Sequence, residues 1–165
     1  MLCRVMILKR DPWKNYAFWI AISLGTGGLA GLLTRNGTKY YNANVIKPAL
    51  SPPAWVFPAA WGLLYVLMGV GAARISLLPE SKQRERCLRV FCAQLAVNFL
   101  WSLIFFNARA YGFAFIWLTL LWGLIVWMIL NYRELDDTAA RLQLPYALWV
   151  FFAGYLNLGV WLLNG

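Results

Sequence analysis

The chain has 165 residues, of which 62% are hydrophobic, 17% aromatic and only 13% charged, against about 25% charged in an ordinary soluble domain. Its formal net charge is +9 and it contains no His. That balance excludes a soluble enzyme and a multidomain protein, and it removes any His metal ligand, haem ligand or general base. Five windows hold no Asp, Glu, Lys or Arg: 15–33, 54–73, 90–108, 110–132 and 142–165. Each is 19 to 24 residues long, enough to cross about 30 Å of hydrocarbon as a helix. The expected fold is an all-α integral membrane protein. It is one domain over 1–165, a bundle of five transmembrane helices spanning about 15–33, 54–73, 90–108, 110–132 and 142–164.

The first span follows a basic start, as a signal peptide would, but its 19 apolar residues exceed a normal signal core, so it is expected to stay uncleaved. It is rich in glycine, and Gly27 and Gly31 make a GxxxG spacing that suits close helix packing. The first connection, about 34–53, is long and should fold over the mouth of the bundle. Tyr40 and Tyr41 are expected at the membrane interface, Ser51 as a cap for the second span, and Pro52 or Pro53 in its first turn. The second connection, Leu77 to Leu88, is a solvated charge run. The third, Asn107 to Gly112, is short enough to make spans three and four a tight antiparallel pair. The fourth runs from Tyr132 to Gln143 and carries Arg133, Glu134, Asp136, Asp137 and Arg141.

The positive excess follows the sidedness of a membrane protein, so nucleic acid is not expected as a partner. Eleven Lys and Arg fall on one side: Arg4, Lys9, Arg10 and Lys14, then Arg74, Lys82, Arg84, Arg86 and Arg89, then Arg133 and Arg141. The other side has Arg35, Lys39, Lys47 and Arg109. The N-terminus is therefore expected in the cytoplasm and the C-terminus outside, in an inner or plasma membrane of bacterial type. None of the six acids lies within a span, which argues against a proton-driven carrier. Cys87 and Cys92 stand five apart on one helix, where their directions diverge, and no bridge between them is expected; with Cys3 the cysteines are odd in number.

Ten Trp residues need places. Trp13, Trp19, Trp55 and Trp161 fall near span ends, where aromatic belts account for them. Trp61, Trp101, Trp117, Trp122, Trp127 and Trp149 fall deeper. Gln94, Asn98, Trp101 and Phe105 share one face of span three, and amides in hydrocarbon need partners, so that face should point inward. Trp61, Tyr65, Met68 and Ala72 repeat the spacing on span two, and Tyr146, Trp149, Ala153 and then Leu156 or Asn157 repeat it on span five. On spacing alone, two readings stand open. The amides and rings tie and fill a core, or they line an aromatic pocket for a flat apolar ligand with a few polar groups.

The same residues carry an ordered series: Lys47-Pro48, Ser51-Pro52-Pro53-Ala54-Trp55-Val56-Phe57-Pro58, Trp61, Leu64-Tyr65, Met68-Gly69, Gln94-Leu95, Asn98, Trp101, Phe105-Phe106, Asp136, Ala139, Leu142, Pro145-Tyr146, Trp149, Phe152-Ala153 and Leu156-Asn157. Over nearly its whole length the chain resembles the TspO/MBR family, the tryptophan-rich sensory proteins related to the translocator protein, or peripheral benzodiazepine receptor. The resemblance implies a five-helix bundle, often a homodimer, that binds porphyrins, haem and related drugs in a pocket beneath the first loop. Carried over position by position, it implies Trp61, Asn98, Trp101, Phe106, Trp149, Ala153 and Leu156 as pocket residues, beside Tyr65 from the spacing. Three positions depart from the pattern. Leu50 replaces a Trp before the Ser-Pro-Pro turn, Leu158 and Leu162 break the cholesterol-recognition stretch of animal members, and Trp117 replaces a span-four acid.

The expected function is a membrane receptor or sensor for tetrapyrroles such as protoporphyrin IX and haem, and for other flat lipophiles. The ring would stack on Trp61 and Trp149, Asn98 would fix its orientation, and its carboxylates would meet Arg35, Lys39 or Lys47. No obligatory cofactor and no metal site are expected. Light-dependent porphyrin breakdown, with Trp61 and Trp149 as photochemical residues, is the enzyme-like alternative; no acid, base or metal supports conventional catalysis. Transport of porphyrins or lipophiles is the other, although no repeat or buried charge suggests alternating access.

Overall fold

The computed structural model describes residues 11–165. Cys3, Arg4, Lys9 and Arg10 lie outside the described residues. Five long helices carry the apolar windows: α1 (Pro12–Leu33), α3 (Val56–Leu77), α4 (Lys82–Ser102), α5 (Tyr111–Arg133) and α7 (Leu144–Asn164). Two shorter helices sit in connections, α2 (Arg35–Asn44) and α6 (Asp137–Arg141). In hydrocarbon a helix satisfies its own backbone, which is why each charge-free run is helical over nearly all its length. The long helices form a ring in the order α1, α3, α7, α5, α4, closed by contact of α4 with α1 and crossed by contact of α3 with α4.

The α1–α3 contact is the closest. A Cβ on Gly69 would lie 2.5 Å from the Ile20 Cα, so only glycine permits this approach. Beside it the Trp19 indole donates to Ser76 Oγ at 3.0 Å, and Ser76 lies 2.7 Å from Asn15 Oδ1. Trp19 is therefore buried between helices instead of joining the belt, whereas Trp13, Trp55 and Trp161 are exposed. The GxxxG pair divides: Gly27 faces the Tyr65 ring, while nothing approaches Gly31.

The connections differ from expectation in three ways. First, α4 starts at Lys82 because Ser81 caps it, its hydroxyl accepting from the Arg84 N–H at 3.1 Å. The charge run is therefore mostly helix, with Arg84 and Cys87 buried and the Cys87 thiol free. Secondly, Ser51 caps nothing. Its hydroxyl donates to the Pro48 carbonyl at 2.8 Å, closing a turn that holds Leu50 at φ 63°, and α3 begins only at Val56. Thirdly, Tyr41 is buried instead of interfacial, because α2 lays it against Phe105 and Phe106 at centroid distances of 5.5 and 5.6 Å. Tyr40 remains exposed.

The end of span three also departs from a plain α-helix. Leu103–Asn107 form a π-helical turn, closed by the Ala108 N–H on the Leu103 carbonyl at 3.0 Å. The first connection seats on this turn and on α7. Asn107 donates to the Leu33 carbonyl, Asn164 exchanges two 2.9 Å bonds with the Ile46 backbone, and the Tyr155 hydroxyl donates to the Ala49 carbonyl at 3.1 Å. The connection thus covers this end of the bundle.

At the opposite end, α3 is tied to the fourth connection. Arg74 donates twice to Asp136, at 2.9 and 3.2 Å, and Asp136 also caps α6 by accepting from the Ala139 N–H at 2.9 Å. Burial raises the Asp136 carboxyl, but the Ala139 N–H and the Arg74 guanidinium outweigh it and hold the group below its ordinary value.

Candidate functional site

Three of the expected pocket residues meet across the middle of the bundle. The Tyr65 hydroxyl donates to Asn98 Oδ1 at 3.2 Å. Asn98 Nδ2 donates to the Tyr146 hydroxyl at 2.7 Å, and Tyr146 donates onward to Gln94 Oε1 at 2.9 Å. One polar chain thus links α3, α4 and α7, and all four residues are buried. The helical spacing makes this possible, since Gln94 and Asn98 stand one turn apart and face the two phenols together. Trp61 covers the chain from the α3 side, with its ring 5.6 Å from Tyr65 and 6.2 Å from Tyr146.

Towards the covered end lies a second group. The Trp101 ring stacks on Phe105 at 5.3 Å and meets Phe106 edge-on at 6.3 Å. Its indole N–H donates to Asn157 Oδ1 at 3.2 Å, and Asn157 Nδ2 donates to the Tyr111 carbonyl at 2.8 Å. The π turn lets the adjacent rings of Phe105 and Phe106 both reach Tyr41. Ala153 and Leu156 are buried on α7, one and two turns beyond Trp149. Trp149 is half-buried and packs against Phe57 and Phe152, at 6.1 and 5.9 Å.

The structure therefore divides the eight expected residues. Tyr65 and Asn98 share the central polar chain, with Trp61 packed over it; Trp101 and Phe106 belong to the aromatic group beneath the first connection. Tyr146 and Gln94 stand on the expected faces and prove to be full members of the chain. Tyr41 was not legible as part of the site, because nothing in its own segment marks it for burial. Trp117 is half-buried and donates its indole N–H to the Val97 carbonyl at 2.9 Å, so it clasps α5 to α4. Trp122 and Trp127 are exposed on the outer surface of α5.

Two buried donors in this region have no partner within the protein, Gln94 Nε2 and the Trp149 indole N–H. A buried donor left unpaired costs about 1–3 kcal/mol. Among the described residues there is no cluster of three His, Cys, Asp or Glu that could hold a metal ion.

The model of the TspO/MBR family matches residues 18–162. The chain is 35% identical over 144 residues to "Protein CrtK" of Rhodobacter capsulatus, covering 87% of this chain and 89% of that one. It is 33% identical over 150 residues to "Tryptophan-rich protein TspO" of Chlorobaculum tepidum, covering 90% and 94% respectively. It is also 36% identical over 154 residues to the "Translocator protein" of Ovis aries, covering 91% and 90%.

Proposed function

Because the chain belongs to the TspO/MBR family and is a multi-pass integral membrane protein, we propose that it is a membrane receptor for tetrapyrroles, protoporphyrin IX and haem among them, and for related flat lipophiles. The binding region is the aromatic space beneath the first connection, lined by Trp61, Tyr65, Asn98, Trp101, Phe106, Trp149, Ala153 and Leu156. The observation that carries the reading is the pair of unpartnered buried donors beside aromatic faces, Gln94 Nε2 and the Trp149 indole. A ligand that combines π-surface with carbonyl or carboxylate acceptors matches both features. The acid-poor end with Arg35, Lys39 and Lys47 would receive carboxylates that project from the ring. The N-terminus is cytoplasmic and the C-terminus outside in this reading, in a bacterial plasma membrane, with the chain acting as a homodimer; the charge asymmetry between the two ends supports the orientation.

One observation favours a second reading, light-dependent porphyrin breakdown. Trp61 has two phenols close by, Tyr65 at 5.6 Å and Tyr146 at 6.2 Å, which could refill an indole oxidised by an excited porphyrin.

The test is a protoporphyrin IX titration of the full chain in detergent, in the dark and then under light, with Trp61→Phe/Trp149→Phe alongside. Saturable quenching of Trp fluorescence, weakened about tenfold in the double variant, is the expected result; tenfold corresponds to about 1.4 kcal/mol. Absence of saturable quenching overturns the tetrapyrrole assignment. Porphyrin absorbance that falls over several turnovers in the light, and is retained in the double variant, establishes the second reading.

A further inference from the structure

A cavity of about 520 Å³ opens at the covered end of the bundle, and none of the eight residues assigned to the aromatic site lines it. It lies between α2, the turn joining spans three and four, and the end of α7. Its walls divide by chemistry. Val45, Phe113 and Trp161 supply apolar surface, with Phe113 and Trp161 exposed. Tyr40, Asn44, Arg109 and Asn164 supply the polar side, beside the last residue, Gly165.

Arg109 is held in an unusual way. Its backbone has φ 54°, the left-handed region that favours glycine at the end of a helix. An arginine there is strained relative to glycine. Its guanidinium stacks on the Tyr40 ring, 3.6 Å from the centroid, which fixes the head and leaves its N–H edge for a ligand. No ion pair among the described residues includes Arg109.

The surrounding charge points the same way. The acids of the chain are Asp11, Glu80, Glu85, Glu134, Asp136 and Asp137, all towards the opposite end. The covered end has Arg35, Lys39, Lys47 and Arg109 with no side-chain carboxylate to neutralise them. The first turn of α5 beside the cavity has neither a side-chain cap nor an acid, so it adds positive partial charge.

We propose that this cavity binds one anionic phospholipid, its phosphate on the Arg109 guanidinium and the start of an acyl chain against Phe113 and Trp161. Phosphate suits a planar guanidinium, which can offer it two parallel N–H groups. The exposed aromatic walls distinguish a lipid from a free ion, for which they would do nothing. This assignment is independent of the tetrapyrrole reading, because it uses other residues and another ligand.

Native mass spectrometry of the full chain in a neutral detergent tests it, with phosphatidylglycerol and phosphatidylcholine as probes. The wild type should retain one phosphatidylglycerol at least about tenfold more tightly than phosphatidylcholine. Arg109→Gly should lose that preference with an unchanged or higher melting temperature, since glycine relieves the backbone; Arg109→Asn, which also tolerates this conformation, is the second variant. Lys82→Gln, exposed at the opposite end of the bundle, should keep the preference. The proposal is overturned by equal retention of the two lipids, by an unchanged preference in Arg109→Gly and Arg109→Asn, or by an equal loss in Lys82→Gln. Displacement of the lipid by inorganic phosphate at matched concentration also overturns it, in favour of a free-ion site.

Discussion

Asn98 is the joint of the central polar chain, and truncating it gives a testable magnitude. Asn98→Ala removes two interhelical bonds, from the Tyr65 hydroxyl at 3.2 Å and to the Tyr146 hydroxyl at 2.7 Å. Such bonds in membranes average about 0.6 kcal/mol and reach about 1.7, so the pair contributes about 1–3 kcal/mol. Tyr146 keeps its donation to Gln94 at 2.9 Å, but the Tyr65 hydroxyl is left buried without an acceptor. That orphan adds about 1 kcal/mol or more, for a total of about 2–4. Tyr65→Phe removes the same bond from the other side and leaves the buried Asn98 Oδ1 without a donor, so it should cost about 1–2 kcal/mol. The double variant Tyr65→Phe/Asn98→Ala should therefore be more stable than the two single costs, added together, imply. The assay is reversible unfolding in mixed detergent micelles, followed by circular dichroism for the four proteins of the cycle. Additivity within about 0.5 kcal/mol would refute the shared bond and with it the polar chain.

Leu50 is 79% exposed and holds φ 63°, so Leu50→Gly should raise stability by about 1 kcal/mol, read as a higher melting temperature. Gly27→Ala should destabilise, because its Cβ would fall 2.1 Å from Tyr65 Cε2 and push that ring off Asn98; Gly28→Ala, with nothing within 4 Å, should be neutral or stabilising by up to about 1 kcal/mol. Asp136→Asn should destabilise by about 1–3 kcal/mol at neutral pH, through the loss of charge-assisted bonds to Arg74. The folded-state value of Asp136 is depressed, so its contribution is complete above the ordinary carboxylate range and is lost as pH falls through the depressed value. The gap between wild type and Asp136→Asn, followed by pH-dependent melting, should therefore close below about pH 4. Ala153→Leu should weaken protoporphyrin IX binding while melting stays cooperative; unchanged affinity by fluorescence titration would remove Ala153 from the binding region.

The five spans were legible because hydrocarbon tolerates neither charge nor unpaired backbone, so the charge-free windows mark the helices directly. The inward faces were legible for the same reason. Gln94 and Asn98 are too costly to face lipid, and the structure pairs Asn98 on both sides. Partner choice was not legible. The rule that sends Trp to span ends serves Trp13 and Trp55, yet Trp19 turns inward because Ser76 on α3 offers an acceptor 57 residues away. Tyr41 behaves likewise: its segment is polar, and only the π turn of span three creates its seat between Phe105 and Phe106. Ser51 misled because a hydroxyl before prolines can cap a helix or close a turn, and here it donates to the Pro48 carbonyl while no side chain caps α3.

The two ends of the bundle are held by different chemistry, and the difference bears on function. At the end that carries the acids, Arg74 meets Asp136, Arg141 meets Asp137 and Lys14 meets Asp11. At the covered end, amides, a hydroxyl and a stacked cation make the ties: Asn164 to Ile46, Asn107 to Leu33, Tyr155 to Ala49, and Arg109 on Tyr40. Ties that use no carboxylate fasten the first connection without cancelling the positive charge around it. Acids placed there would have fastened it too, but they would also have cancelled the field that Arg35, Lys39, Lys47 and Arg109 present. A cover built this way holds its shape as salt rises while its attraction for anions falls. Raising ionic strength should therefore weaken carboxylate-bearing ligands and anionic lipid well before it loosens the connection itself.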